Sequence, residues 1–136
     1  ENIKVFIDSN IPMYASGKEH PNRELSIKIL DSVSRGKITG LTSTEVLQEI
    51  LYRYHAINMT DKGLEVFNNF SGIVDEVLSI NIRIMNAARD ILKDNAGKIY
   101  PRDAVHIATM NHYGISYIAS FDRHFSYFKH IREFIL

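Results

Sequence analysis

Short apolar runs alternate along the chain with longer segments in which apolar residues recur every three or four positions. The first run, Ile3–Ile7, is β-branched and aromatic, which is typical of a strand buried on both faces of a parallel sheet. Similar runs predict four further strands. The five predicted strands are Ile3–Ile7, Ile38–Thr42, Ile73–Ile80, Ile115–Ala119 and His130–Ile135.

The segments between these runs show helical spacing and helix start signals. A short helix is predicted around Pro12, and a capping box formed by Thr42 and Glu45 predicts the start of a helix that ends near His55. The other predicted helices are Asn22–Ser34, Thr60–Phe70, Asn81–Asn95, Pro101–Tyr113 and Asp122–Phe125. Strands that alternate with helices in this way predict a parallel α/β sandwich.

Length and composition are consistent with this architecture and limit the function. A chain of 136 residues with 45% hydrophobic residues is expected to form a single domain, residues 1–136, with a real core. The absence of cysteine excludes disulfides and thiolate metal sites, and is consistent with a reducing cytoplasm. A net charge of zero is unusual for a protein that binds nucleic acid by bulk charge. If a bound metal neutralised some of the acids, however, the rest of the protein would carry a net positive charge.

Four acidic residues are predicted to lie at the carboxyl edge of the sheet, where α/β proteins bind their ligands. They lie at the end of a strand, just past a strand, or in the first turn of a helix that leads back to a strand. If the first, second and fourth strands are neighbours, their carboxylates meet in one pocket. These residues are Asp8, Glu45, Asp103 and Asp122.

Each acid also has a purely structural interpretation. Asp8 and Asp122 are each typical of a helix N-cap. Glu45 completes the capping box with Thr42, and Asp103 complements a helix dipole. The functional hypothesis therefore depends on their joint position at one edge of the sheet.

Four carboxylates in a half-buried pocket repel one another unless a cation offsets their charge. Hard divalent ions with oxygen ligands, Mg²⁺ or Mn²⁺, are the expected cofactor. Such a site is suited to hydrolysis of a phosphodiester by a metal-activated water. A phosphatase with Asp8 as nucleophile would need a second acid at position 10, where the chain has Asn10.

Other side chains add weaker signals. His106 lies one turn after Asp103 and is interpreted either as a pocket residue or, more often for such a position, as a surface or half-buried histidine. A set of basic residues has two interpretations. They form either a rim around the pocket that positions phosphates or an ordinary solvated surface. This set is Arg102, Arg123, His124, Lys129 and Arg132. No motif for nucleoside triphosphates, dinucleotides or serine hydrolysis is present.

Four motifs resemble those of the PIN-domain family, the nucleases that include the VapC toxins of toxin–antitoxin pairs. VFIDSN is similar to the strand that ends in D-x-N, and STEVLQEI is similar to the helix with the second acid. PRDAVHIATM and SFDRHF are similar to the third and fourth acidic motifs. The resemblance covers the whole chain and is most specific over Pro101–Phe125.

The resemblance implies a parallel sheet of about five strands with helices on both sides and an endoribonuclease that depends on Mg²⁺ or Mn²⁺. It implies metal binding by the four acids and a supporting role for Asn10 and Ser120. Glu45 is its least constrained assignment, because Glu49 lies one turn later on the same helix. Arg102 and Arg123 are candidate RNA-binding residues. An RNA substrate, a homodimer and a protein antitoxin are the partners it implies.

Two hypotheses follow. The first is a metal-dependent endoribonuclease that acts as the toxin of a toxin–antitoxin pair. The second is a PIN-fold module that binds RNA or protein in an RNA-processing assembly without catalysis, which the neutral charge favours. Binding of Mg²⁺ and Mn²⁺ distinguishes them.

Overall fold

Five parallel strands form one sheet in the computed structural model of the chain, which describes residues 2–134. The strands are β1 (Lys4–Ile7), β2 (Thr39–Ser43), β3 (Glu76–Leu78), β4 (Tyr117–Ala119) and β5 (Arg132–Glu133). Their spatial order is β3-β2-β1-β4-β5, and every neighbouring pair is parallel. The predicted parallel α/β sandwich is confirmed.

Helices connect the strands and flank the sheet. They are α1 (Asn10–Ala15), α2 (Pro21–Ser34), α3 (Thr44–Ala56), α4 (Thr60–Ile73), α5 (Ile82–Asp94), α6 (Pro101–Tyr113) and a 3₁₀ helix (Arg123–Tyr127). Pro101 begins α6, and Gly114 ends it in the left-handed conformation with φ of 69°, as the sequence predicts. Within residues 2–134 none of the helices has the length and apolar character needed to cross a membrane.

The central strand β1 is the most buried part of the sheet. Val5, Phe6 and Ile7 have no exposed surface, because neighbouring strands cover both edges and apolar side chains from the helices cover both faces. This explains why the sequence of β1 is a continuous apolar run without the alternation of a half-exposed strand.

The strands that follow β1 in sequence are added first on one side of it and then on the other. Strands β2 and β3 extend the sheet on one side of β1, whereas β4 and β5 extend it on the other. The carboxyl ends of β1 and β4 therefore mark the topological switch point, where a crevice for ligands is expected. Asp8 follows β1 and Ser120 follows β4 directly at this point.

Several predicted elements differ in detail from the structure. The N-cap of α3 is Ser43, which accepts a hydrogen bond from the Val46 amide, so the predicted capping box of Thr42 and Glu45 is wrong. The hydroxyl of Thr42 instead donates to the carbonyl of Ile7 at 2.9 Å. The third strand is shorter than predicted because α4 continues to Ile73, although its predicted edge position is confirmed.

The last two predicted elements are also changed. The helix predicted at Asp122–Phe125 is a 3₁₀ helix whose N-cap is Asp122. The final strand is reduced to Arg132–Glu133, and Ile135 of the prediction lies outside the described residues.

Candidate active site

Asp8 is held rigidly at the carboxyl end of β1. Its side chain is only 7% exposed, and its Oδ1 accepts a 2.7 Å hydrogen bond from the amide of Ser9. Its Oδ2 accepts a hydrogen bond of 2.7 Å from the hydroxyl of Ser120, which follows the neighbouring strand β4. Asp8 makes no cap bond to α1, whose N-cap is Ser9, so the N-cap interpretation does not explain it.

Asn10 and Ser120 connect the ends of β1 and β4. The amide group of Asn10 donates to Ser120 Oγ at 3.1 Å, and its oxygen accepts from the amide of Phe121 at 3.3 Å. Ser120 Oγ also accepts a 3.0 Å hydrogen bond from the Asp122 amide. The geometry thus gives both residues contacts suited to the supporting role that the resemblance implies.

Glu49 on α3 reaches the same pocket. Its side chain is 8% exposed, and its Oε1 is buried without a hydrogen-bond partner among the described residues. Its Oε2 lies 3.1 Å from Arg53 Nε and 3.6 Å from Arg102 Nη1. Two guanidinium groups thus balance part of the charge of a carboxylate that is nearly removed from water.

A first group of candidate metal ligands combines Asp8 and Glu49 with His106 of α6. One donor atom from each of the three lies within 4.8 Å of the others. His106 is completely buried, and its Nε2 lies 3.5 Å from Asp8 Oδ1 without forming a hydrogen bond. Its ring packs beside Phe6 and Phe125, which fixes its position.

A second group combines Asp103, Asp122 and His124, again with donor atoms within 4.8 Å of one another. His124 Nδ1 lies 3.0 Å from Asp103 Oδ2 and 3.0 Å from Asp122 Oδ1. Asp103 Oδ2 also accepts a hydrogen bond from the amide of Tyr100, which caps the start of α6. The other oxygen, Asp103 Oδ1, is buried without a hydrogen-bond partner in the described chain. Asp122 both caps the 3₁₀ helix through the His124 amide and faces this group.

The structure does not bring Glu45 to either group. Glu45 is half-buried in the first turn of α3 and lies outside the pocket, whereas Glu49, one helical turn later, lines it. The two residues share one face of α3 and differ by about 6 Å along its axis. Arg102 lines the pocket, and Arg123 is exposed beyond it.

The pocket has a volume of about 520 Å³ and is open to solvent. Its floor is polar and its walls are aromatic and apolar. Its lining residues are Asp8, Ser9, Asn10, Met13, Tyr14, Glu49, Arg53, Tyr54, Ile57, Arg102, Phe121 and Asp122. Burial raises the pKa of the Tyr54 hydroxyl above its ordinary value of 10.0, so this wall of the pocket stays uncharged.

Sequence reasoning missed Arg53 as a site residue. It named Glu49 only as the neighbour of Glu45 on the same helix, and His124 only as part of a basic rim. It favoured a surface or half-buried position for His106, which is wrong, because His106 is completely buried. A usable signal was present for Arg53 and His106. Arg53 follows Glu49 by four residues, a spacing that pairs side chains on one helix face, and His106 follows Asp103 by three. No local pattern identifies His124, because its position depends on how the 3₁₀ helix packs against the start of α6.

The donor atoms fit a divalent cation. Carboxylate oxygens left without hydrogen bonds in a nearly dry site are costly, and a bound cation removes that cost. Glu49 Oε1 and Asp103 Oδ1 are such atoms, and each belongs to a group that combines two carboxylates with an imidazole. The site can therefore bind a divalent ion and, through Arg53 and Arg102, an anionic ligand.

The sequence profile of the PIN domain matches residues 5–131. Ribonuclease VapC13 of Mycobacterium tuberculosis is 40% identical over 129 residues, which cover 95% of this chain and 98% of that protein. Ribonuclease VapC2 of Methanocaldococcus jannaschii is 29% identical over 141 residues, covering 92% of this chain and 89% of that protein.

Solved structures share the fold at low sequence identity. VapC20 of Mycobacterium tuberculosis, described as a toxin that cleaves the sarcin–ricin loop, aligns with a TM-score of 0.76 at 19% identity and covers 90% of this chain and 93% of its own. VapBC2 of Rickettsia felis, bound to a DNA fragment from its promoter, aligns with a TM-score of 0.74 at 15% identity. The alignment covers 96% of this chain and 97% of that one.

Proposed function

The chain belongs to the PIN-domain family, and from this premise we propose that it is a metal-dependent endoribonuclease that acts as the toxin of a toxin–antitoxin pair. It is a nuclease of the VapC type, since a VapC ribonuclease is 40% identical over nearly its whole length. The substrate is RNA, and the reaction is hydrolysis of a phosphodiester bond.

One observation carries the proposal. Two groups of carboxylates and histidines lie at the carboxyl edge of the sheet, and two of their buried carboxylate oxygens have no partner among the described residues. The residues proposed to hold Mg²⁺ or Mn²⁺ are Asp8, Glu49, Asp103 and Asp122, with Glu49 in place of the Glu45 predicted from the sequence. When bound, a divalent ion supplies Lewis-acid activation of water and offsets the negative charge of the phosphate.

The chain's own residues orient these acids. Ser120 donates to Asp8 Oδ2, so that the other oxygen of Asp8 points toward the group of Glu49 and His106. Asn10 in turn donates to Ser120. These hydrogen bonds fix the rotamer of Asp8 before substrate arrives, which lowers the entropic cost of assembling the site.

Arg53 and Arg102 are proposed to bind the RNA phosphate. Their side chains are 49% and 36% exposed, and both approach Glu49 at the floor of the pocket. Guanidinium groups at this position attract a phosphodiester toward the acids and hold its non-bridging oxygens. Tyr14 and Phe121 form the wall beside them, with ring centroids 5.3 Å apart, and offer an aromatic surface to a base.

A protein antitoxin is the proposed partner. Solved chains with this fold include toxin–antitoxin complexes, among them VapBC of Salmonella typhimurium with bound DNA at a TM-score of 0.69. That likeness is one of fold at 17% identity, so the antitoxin of this chain is a proposal based on its family. The homodimer and the cytoplasmic location stay predictions from the sequence.

Asp8→Asn and Asp103→Asn test the proposed function. Each substitution removes a charge from one group while preserving side-chain size, so we expect loss of Mg²⁺-dependent RNA cleavage and an unchanged circular dichroism spectrum. Asp61→Asn, an exposed acid in the first turn of α4, is the matched control and should cleave like the parent chain. Undiminished cleavage by either site variant would refute the proposal.

Calorimetry separates this proposal from a binding module without catalysis. The unmodified chain should bind Mg²⁺ or Mn²⁺, and Asp8→Asn should weaken that binding. RNA binding without any metal binding would favour the module instead.

A further inference from the structure

His124 lies where a ligand of a metal ion would lie, between two acids from different elements. Asp103 comes from the start of α6 and Asp122 from the loop after β4. The Nδ1 atom of His124 is 3.0 Å from an oxygen of each of them. Neighbouring ligands of an octahedral ion with bonds of ~2.1 Å lie about 3 Å apart, which is the distance of His124 Nδ1 from each acid. The donor atoms of all three residues lie within 4.8 Å of one another.

A second observation points to an ion at this place. Asp103 is 1% exposed, and its Oδ1 has no hydrogen-bond partner in the described part of the chain. The cap bond from Tyr100 and the contact with His124 both use the other oxygen, Oδ2. A capping role therefore explains one oxygen of Asp103 and leaves the second, buried one without an interaction.

The histidine also has access and support. Its side chain is 38% exposed, so part of the imidazole is accessible from solvent. The ring of Tyr100 packs against it with centroids 5.0 Å apart, and the His124 amide donates to Asp122 Oδ1. The first contact positions the ring of His124, and the second positions its backbone.

We infer that His124 is a nitrogen ligand that, with Asp103 and Asp122, gives the proposed metal site a preference for transition-metal ions over Mg²⁺. This rests on the proposed function, since it concerns the same site. Imidazole nitrogen is a better ligand for borderline ions such as Co²⁺ than for the hard Mg²⁺, which strongly prefers oxygen. Carboxylates alone would give a smaller preference.

His124→Phe tests the inference. Phenylalanine keeps a ring against Tyr100 but removes both ring nitrogens, and His112→Phe on the exposed part of α6 is the matched control for loss of a histidine. Isothermal titration with Co²⁺ and with Mg²⁺ is the measurement. We expect His124→Phe to weaken Co²⁺ binding at least ~10-fold and Mg²⁺ binding less than ~3-fold, and His112→Phe to change neither.

A spectroscopic readout complements the affinities. With Mn²⁺ bound to the unmodified chain, pulsed electron paramagnetic resonance should detect nitrogen hyperfine coupling from a directly bound imidazole. His124→Phe should reduce that coupling, and it should abolish the coupling when His106→Phe has already removed the imidazole of the other group. Equal loss of both ions, no loss of Co²⁺ binding, or coupling that His124→Phe leaves unchanged in the His106→Phe background would overturn the inference. Those results leave the proposed nuclease intact if RNA cleavage persists, whereas a parent chain that binds no divalent ion would overturn both.

Discussion

The hydroxyl of Ser120 donates a 2.7 Å hydrogen bond to Asp8 Oδ2 across 112 residues of sequence. The same oxygen of Ser120 accepts hydrogen bonds from the side chain of Asn10 and from the amide of Asp122. One hydroxyl thus links the acid after β1 to the acid after β4. The arrangement exists because β1 and β4 are neighbours in the sheet and end at the same edge.

Ser120→Ala should weaken metal binding without unfolding the chain. Removal of the hydroxyl frees Asp8 to rotate and leaves Asn10 without an acceptor, so we expect metal affinity to fall by about 10–100-fold, the usual effect of losing a residue that orients a ligand. Calorimetry with Mn²⁺ measures it. Ser71→Ala, which removes a hydroxyl that donates to the Asn68 carbonyl on α4, is the control and should leave the affinity unchanged.

Glu49→Gln should reduce RNA cleavage strongly, whereas Glu45→Gln should leave it almost unchanged. Glu49 is buried in the pocket, and its Oε1 has no hydrogen-bond partner within residues 2–134. We expect its amide variant to lose RNA cleavage by at least ~100-fold, which is the lower end of the effect of losing a general acid or base. Glu45 lies one turn earlier, outside the pocket, and its variant should stay within a few-fold of the parent. The measurement is the initial rate on one RNA substrate, and a larger loss for Glu45→Gln would show that the ligand assignment is wrong.

The sequence predicts the architecture well because its signals are local. The apolar run of β1, Pro101 at the start of α6 and Gly114 at its end each reflect the backbone around them, and the structure has all three. The acids Asp8, Asp103 and Asp122 could be placed at the sheet edge by topology alone. Their exact partners could not, because Ser120 and Asp8 meet only through strand order.

The choice between Glu45 and Glu49 shows where sequence reasoning stops. A capping box starting at Thr42 would have pointed Glu45 at the sheet edge, but Thr42 is used by β2 and donates to Ile7, so α3 starts at Thr44. Glu45 and Glu49 are four residues apart and share one face of α3, so they differ mainly by about 6 Å along the helix axis. The position along the helix decides which of them lines the pocket. The site residue therefore changes, although the helix itself is predicted correctly.

Arg102→Gln should weaken RNA binding more than Arg123→Gln. Arg102 lines the pocket beside Glu49, whereas Arg123 is exposed outside it, so only the first is placed to meet the phosphate at the acids. We expect a higher KM for Arg102→Gln. We also expect a shallower salt dependence of RNA binding: the slope of the logarithm of the binding constant against the logarithm of the salt concentration should fall by about 0.7 for one lost contact to a single strand. Equal effects of the two substitutions would instead indicate a diffuse basic surface.

Gly63→Ala should destabilise the wall of the pocket formed by α3 and α4. A Cβ added at Gly63 would lie 2.7 Å from Tyr54 Cβ, an atom fixed to the backbone of α3, so the helices must move apart. We expect a loss of about 1–3 kcal/mol in the free energy of unfolding, measured by urea denaturation. Gly72→Ala on the same helix meets no atom within 4 Å and should be neutral or stabilise by ~0.5–1 kcal/mol.

Tyr54 should make the fold sensitive to alkaline pH. Burial raises the pKa of its hydroxyl above 10.0, so on a rise through pH 10 the unfolded chain loses this proton first and binds fewer protons than the folded chain. The free energy of unfolding therefore falls as pH rises above that value. Tyr54→Phe removes this contribution and should flatten the decline above pH 10.0, measured by urea denaturation at a series of pH values. Tyr52→Phe is the control, because Tyr52 is 65% exposed and neighbours it on α3. A decline of the same steepness in Tyr54→Phe and the parent chain would assign the alkaline sensitivity to other groups.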